Sequence, residues 1–201
     1  MPENAPAGGR LPTSEEDIRA YTVGDIKPHA APITLVDYDA AWPGLFARED
    51  QRIRGALGDK VLRLEHTGST SVPGLAAKPI IDMTLIVPDS SDEDAYVKPL
   101  EAVGYVLRIR ERDWYEHRVL KGPDTNVNLH VFSPGSPELD RMVGFRDWLR
   151  THDDDRDLYE RTKRELAAHE WQYVQHYADA KTAVVEEIIA RAGLPAGAIP
   201  A

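Results

Sequence analysis

The sequence predicts an α+β fold: a mixed β-sheet flanked by helices, followed by a helical C-terminal part. Three observations carry this. The stretch "KPIIDMTLIV" (78–87) is apolar on both faces, as a central buried strand should be. Helix-like and strand-like segments are interspersed from Ile33 to Phe132. After Pro137 the period changes, and Leu139, Met142, Phe145, Trp148 and Leu149 recur at helical spacing. A length of 201 residues with 42% hydrophobic and 29% charged residues suits one domain with extra segments. The expected division is a flexible N-terminal arm over 1–32, a domain over 33–192 and a short tail over 193–201.

Within the arm, Ser14 followed by Glu15, Glu16 and Asp17 reads as a helix start, and Ile18, Tyr21, Val23 and Ile26 are available to dock. "ITLVDY" (33–38) reads as a short strand. "AAWPGLFAREDQRIRGALG" reads as a helix with Leu45, Phe46, Ile53 and Leu57 near one face and Gly58 as its C-cap. "KVLRLEHTG" is the next strand, and the buried strand follows a small-residue turn. "SSDEDAYVKPLEAVG" is a helix opened by Ser and Asp and ended by Gly104. "YVLRIR", "HRVLK" and "NVNLHVF" are strands, the last two joined by the turn "GPDTN". "PELDRMVGFRDWLRTH" is a helix, and 153–193 continues as one broken or two consecutive helices.

Bulk properties exclude several classes. A net charge of -10 disfavours broad binding to nucleic acid or anionic membrane, while leaving room for a local basic pocket. There is no cysteine, hence no disulfide or thiolate metal site, which fits a reducing cytoplasm. No run approaches the roughly 18 apolar residues of a membrane span, and "MPENAPAGGR" lacks the basic-then-apolar pattern of a secretory signal. The expected location is therefore the cytoplasm, with no nucleic-acid or membrane partner, and the oligomeric state is left open.

The turn "HTGSTS" (66–71) concentrates the chemistry. Gly68 permits close backbone approach, and Ser69, Thr70 and Ser71 supply hydroxyls suited to a phosphate. A Ser-rich structural turn explains the same residues equally well. It is not a P-loop, because Gly74 is followed by Leu75 rather than Lys. Asp82 lies inside an apolar strand, where a carboxylate must be paired, hydrogen-bonded or metal-bound. A strand-end carboxylate paired with Lys78 or an Arg is the plainer alternative. Period two puts Asp82 with Thr84, and Asn128 with His130; if the two strands are neighbours, the four converge.

The stretch "HTGSTSVPGLAAKPIIDMTLIV" is supported by "DYDAAWPGLFARE" (37–49), "NLHVF" (128–132), "FRDWLR" (145–150) and "YADAKTAVVEEI" (177–188). Together these resemble the GrpB family (the UPF0157 group), which belongs to the DNA polymerase β-like nucleotidyltransferase superfamily. The resemblance covers about residues 33–190. It implies a nucleotidyltransferase-like fold in which Gly68–Ser69 match a triphosphate-holding turn and Asp82 the first metal-binding carboxylate. The second carboxylate falls at Thr84 and the third near Asn128 or His130, so one of three expected acids is present. The metal implied is Mg²⁺ or Mn²⁺ at Asp82 with Thr84 or His130, and Zn²⁺ suits the His better. A nucleoside triphosphate is the implied co-substrate.

On this basis Asp82 and His130 are the candidate catalytic residues. His66, Gly68, Ser69, Thr70, Ser71, Lys78, Arg118 and Lys181 are the candidate substrate or phosphate ligands, each with a bland structural alternative. The expected function is binding of a nucleotide or another phosphorylated or carboxylated small molecule, with nucleotidyl transfer to a small-molecule acceptor. A non-catalytic ligand-binding module and ATP-dependent carboxylate activation are the alternatives, and whether the chain is an enzyme stays open. Arg146 and Arg150 read as surface residues, and "HDDDRD" as a helix start. "HEWQY" is rejected as a zinc motif because Tyr173 stands at the second His. Trp114, Tyr115 and His117 read as a twisted loop or a base-stacking surface.

Overall fold

In the computed structural model, which describes residues 13–26 and 32–195, the both-face apolar run forms strand β2 (Ile81–Ile86). Four more strands complete the sheet: β1 (Arg63–Thr67), β3 (Val106–Glu111), β4 (His117–Lys121) and β5 (Val127–Phe132), in the order β1-β2-β5-β4-β3. β2 and β5 are parallel; every other neighbouring pair is antiparallel. The expected mixed sheet, and the neighbouring of β2 with β5, are therefore what the chain builds.

Among the described residues seven α-helices flank the sheet: α1 (Glu15–Tyr21), α2 (Trp42–Leu57), α3 (Glu93–Ala102), α4 (Glu138–Thr151), α5 (Asp153–Ala167), α6 (Val174–Ala180) and α7 (Thr182–Arg191). α2 and α3 cover one face through an apolar core that includes Ile53, Leu57, Tyr96 and Leu100 against Met83, Leu85, Leu129 and Val131. Asp82, Thr84, Asn128 and His130 alternate with these residues and so belong to the opposite face. There Met142 of α4 reaches Thr84. A second core joins Val72 and Leu75 of the loop before β2 to Leu149, Tyr159, Val184 and Ile188 of α4, α5 and α7. The C-terminal helices are thus anchored on the segment that leads into β2.

Several expectations need correction. "ITLVDY" makes only one β-bridge, between Val36 and Ala77, with N–H···O distances of 2.9 Å in both directions. Ala77 lies in a loop interrupted by Pro73 and Pro79, which offers no strand to extend the pairing. The region after Asp153 divides into three helices rather than one or two. Lys181 separates α6 from α7 while itself keeping helical dihedrals (φ -82°, ψ -13°). The expected arm falls partly outside the described residues, at 1–12 and 27–31, as does the tail at 196–201. Within 13–26, Ser14 and Asp17 form a reciprocal capping box, Ile18 is buried, and Val23 N–H donates to the Arg108 carbonyl at 2.8 Å.

Arg118, a candidate ligand, is 2% exposed and belongs to the α2/α3 side of the sheet. Its Nε donates to Glu93 Oε1 at 2.6 Å and a terminal nitrogen to Glu116 Oε2 at 2.9 Å. Arg110 grips the same Glu93 carboxylate with two bonds of 2.6 Å. The hydrogen bond from Arg110 is the largest reason that Glu93 is held down at about 2, with Arg118 adding to it against the opposing effect of burial. A carboxyl depressed in the folded chain stabilises fully above its unfolded value, 4.5, and loses that contribution as pH falls through about 2. Urea unfolding should show roughly 3 kcal/mol lost from this one group between pH 5 and pH 1.5. Glu93→Gln should lose about 3 kcal/mol at pH 7, because Arg118 keeps a buried charge with a weakened partner, and should flatten that part of the acid profile.

Candidate functional site

The turn after β1 exists because Gly68 adopts φ +64°. A Cβ built there would lie 2.8 Å from the Asp82 Cβ and 2.9 Å from its Cγ, so only glycine lets the turn pass over the carboxylate. Behind it, Ser71 Oγ donates to the Gly68 carbonyl at 2.6 Å and Thr70 Oγ1 to the Ile80 carbonyl at 3.2 Å. Arg150 donates to the Ser71 carbonyl at 2.7 and 3.1 Å, and Arg146 to the His66 carbonyl and Glu65 Oε2, both at 2.9 Å. These two arginines, which the sequence offers as plain surface residues, clamp the turn from α4. Thr70 and Ser71 are buried and serve the turn itself, whereas Ser69 is half-buried.

His66 sits on the α2 side. Its ring stacks on Phe46 with centroids 4.8 Å apart and meets Thr70 Oγ1 at 3.1 Å. Burial, helped by Arg150 and Arg146, lowers its pKa to about 4, so the ring is a neutral support for the turn. Arg118, already described, is spent on Glu93 and Glu116. Both it and Glu93 border an open groove of about 410 Å³ at the start of α3, which shares no residue with the surroundings of Asp82.

Around Asp82 the structure assembles lysines. Asn128 Nδ2 donates to Asp82 Oδ1 at 2.7 Å, and Lys121 Nζ donates in turn to Asn128 Oδ1. Burial raises the Asp82 carboxyl above its ordinary value, opposed by the Asn128 hydrogen bond and by the charges of Lys78, Lys181 and Lys121. Lys78 and Lys181 flank the Tyr177 ring, their Nζ atoms 5.4 and 4.8 Å from its centroid. Lys163, on α5, donates to Ser69 Oγ at 3.1 Å and to the Ala76 carbonyl, and lies 4.7 Å from the Tyr159 ring. Burial and then Lys181 depress Lys78 to about 8 and Lys163 to about 7; burial lowers Lys121 and Lys181 as well. Tyr159 is pushed up to about 12 by burial despite its bond to Ser69, and the Tyr177 hydroxyl is buried without a hydrogen-bond partner among the described residues.

The site therefore unites Gly68, Ser69, Lys78, Asp82 and Lys181, and leaves His66 and Arg118 on the other side of the sheet. Lys121 and Lys163 are absent from the sequence reading. Lys163 sits in "RTKREL", a polar helical run in which nothing singles it out, and Lys121 matters only because β4 lies beside β5. Thr84 and His130 share the Asp82 face, but each is engaged elsewhere. Thr84 Oγ1 is fully buried against Thr67 Oγ1 at 2.9 Å and Met142 Sδ at 3.3 Å; His130 Nδ1 meets His117 Nε2 at 3.0 Å. Among the described residues no three His, Cys, Asp or Glu side chains are grouped as a metal ion would need. A two-Mg²⁺ centre requires several hard oxygen ligands, and this donor set of one carboxylate among lysines does not fit one.

Asp82 and Gly68 are in van der Waals opposition, and this sets a direct test. Gly68→Ala would place a side chain both at a positive φ and against the carboxylate. It should cost about 1–3 kcal/mol in chemical denaturation, and Asp82→Gly in the same chain should recover part of the loss by removing the clash.

The comparisons with known proteins agree on one family. The GrpB protein family profile matches residues 32–191. A UPF0157 protein of Halalkalibacterium halodurans is 60% identical over 192 residues, spanning 96% of this chain and 98% of that one. A UPF0157 protein of Streptomyces coelicolor is 45% identical, spanning 83% and 87%. A dephospho-CoA kinase of Mycolicibacterium paratuberculosis is 31% identical over 67% of this chain, which spans 39% of that longer protein. The crystal structure of GrpB from Enterococcus faecalis superposes with a TM-score of 0.70 at 30% identity, covering 79% of this chain and 96% of that one. The chain belongs to the GrpB family.

Proposed function

We propose that the protein binds a phosphorylated small molecule of the nucleotide class in the lysine-rich recess between the Gly68–Ser71 turn and the C-terminal helices. The observation that carries this reading is the crowding of Lys78, Lys121 and Lys181 around a single carboxylate, with Lys163 beside Lys181 and Ser69, and all four amines depressed. Cations that repel one another in a buried recess are a standing cost in the empty protein, and a polyanion removes it. Ser69 is placed to donate to the same anion, as the family resemblance implies. No helix among the described residues is long and apolar enough to cross a membrane. Relatedness to a segment of a dephospho-CoA kinase is consistent with phosphate chemistry nearby.

Whether the bound molecule then reacts divides two readings. In a nucleotidyltransferase, Asp82 would act with a divalent metal on the triphosphate. In a ligand-binding module, the lysines supply the countercharge and Asp82 orders them. The donor set favours the second, and the first rests on the resemblance.

The test is thermal melting of the full chain with ATP, GTP, CTP or UTP, in Mg²⁺ and in EDTA. At a concentration near 100 times Kd a triphosphate should stabilise by about 2.7 kcal/mol, a rise of roughly 5–10 °C in Tm for a chain of this size. The rise should persist in EDTA and shrink with added salt. Lys181→Met keeps the aliphatic stem and deletes the charge that adds to burial in depressing both Lys78 and Lys163. It should raise the ligand-free stability by up to about 1 kcal/mol and abolish the triphosphate shift. Asp82→Asn should leave or strengthen that shift if the carboxylate only orders the lysines, and should abolish it in Mg²⁺ if it holds a metal. Absence of any shift with all four triphosphates, in both conditions, would overturn the binding proposal.

A further inference from the structure

A line of polar side chains crosses the sheet on the Asp82 face. Glu111 of β3 is the register partner of His117 of β4, and Glu111 Oε2 meets His117 Nδ1 at 2.6 Å. His117 Nε2 then meets His130 Nδ1 of β5 at 3.0 Å. The two imidazoles are tilted by only 8° with centroids 5.2 Å apart, a separation that exceeds the N···N distance by about two ring radii. The hydrogen bond therefore runs in the plane of both rings, the direction of the ring lone pairs and N–H bonds. His130 is the register partner of Thr84, one alternation along β2 from Asp82.

His117 has little freedom to leave this line. It is 3% exposed, its ring stacked on Phe132 at 4.6 Å and met edge-on by Trp114 at 4.9 Å. Glu111 keeps partial contact with solvent, with 18% of its side chain exposed. His130 is half-buried, and its Nδ1 makes the one hydrogen bond found for that ring among the described residues.

The donor inventory now fixes the protons. An ionised carboxylate only accepts, so His117 Nδ1 must carry a proton. A neutral His117 then presents a lone pair at Nε2, which requires the proton in the second bond to come from His130 Nδ1. A neutral His130 protonated at Nδ1 has an unprotonated Nε2. The neutral state of both rings is supported by burial, which lowers His130 to about 3 and lowers His117 despite the opposing pull of Glu111. Arg118 beside His117, and His117 and Lys121 beside His130, act in the same direction.

We infer that Glu111 and His117 are positioning residues that lock His130 with its proton on Nδ1 and a bare lone pair on Nε2, directed to a donor group of the bound molecule. The group it accepts is a hydroxyl or an amine, not a phosphate oxygen. The nucleotide recess thus has a lysine end for the anion and a histidine end for a protic group, and this chemical assignment rests on the ligand reading above. The tautomer itself does not: the lysine recess could fail to bind any triphosphate while His130 keeps this protonation, and the converse also holds.

Long-range ¹H–¹⁵N correlation spectra of the ¹⁵N-labelled full chain at pH 7 read each ring nitrogen directly, with His130→Asn giving the assignment. Both His117 and His130 should show a protonated Nδ1 and an unprotonated Nε2. His117→Phe removes the acceptor for His130 Nδ1, and Glu111→Ala frees His117 to exchange tautomers; each should shift His130 towards the Nε2-protonated form. The Glu111 variant, on a partly exposed position, serves if the His117 variant fails to fold. A native His130 protonated at Nε2, which is the pattern if His117 is an imidazolium, overturns the inference. So does a His130 tautomer that survives in the folded variants unchanged.

Discussion

The pairing of β2 with β5 is the constraint on which the site depends. It is the sole parallel pairing in the sheet, and it needs a crossover through α3, β3 and β4. Its register sets Asp82 beside Asn128 and Thr84 beside His130. A slip of β5 by one residue against β2 would carry Asn128 and His130 to the apolar side and bring Leu129 and Val131 out of the core. Both strands are almost wholly buried, so the hydrophobic core enforces the register, and the polar constellation follows without any interaction of its own having to hold it.

The second layer of the site is held from the C-terminal helices. Arg146 and Arg150 bind carbonyls of the turn, Glu160 accepts from the Ala76 N–H at 2.9 Å, and Lys163 bonds the Ala76 carbonyl. The segment 68–78 thus satisfies part of its backbone through side chains of α4 and α5, and part through the 3-10 turn at Ser69–Ser71 and the Val36–Ala77 bridge. Lys163 is both a structural donor and a member of the recess. Its charge is suppressed by burial and by Lys181, so the scaffold tolerates it at neutral pH only with a strongly lowered proton affinity.

What the sequence discloses follows the range of the interactions involved. Strands β2 to β5, the helix α2 with its Gly58 cap, and the capping box at Ser14 are legible because periodicity and caps are local. "ITLVDY" has the right composition for a strand, yet among the described residues its one β-bridge is to an irregular loop, and composition carries no information about a missing partner. Gly68, Ser69, Lys78, Asp82 and Lys181 stand out through motif and resemblance. His66 and Arg118 lie on strands of the right sheet but on its other face, which alternation alone could not decide before the register was known. Lys121 and Lys163 are ordinary by sequence and become notable only through tertiary proximity.

The single carboxylate and the lysines around it are best understood together. A site with three carboxylates in a buried recess is stable only with divalent cations to balance them. With Thr84 and His130 on this face instead of further carboxylates, that need does not arise, and Thr84 bonds Thr67 and Met142. The remaining carboxylate is balanced through Asn128 and the lysines on β4 and α6–α7. Fixed ammonium groups differ from a metal in one respect that bears on function: their number and position do not change when the ligand leaves. The recess therefore keeps its lysines in place, and their depressed proton affinity records burial and, for Lys78 and Lys163, the neighbouring Lys181. On the binding reading proposed above, a polyanion would favour the protonated amines, and its affinity would draw on repulsion already built into the fold.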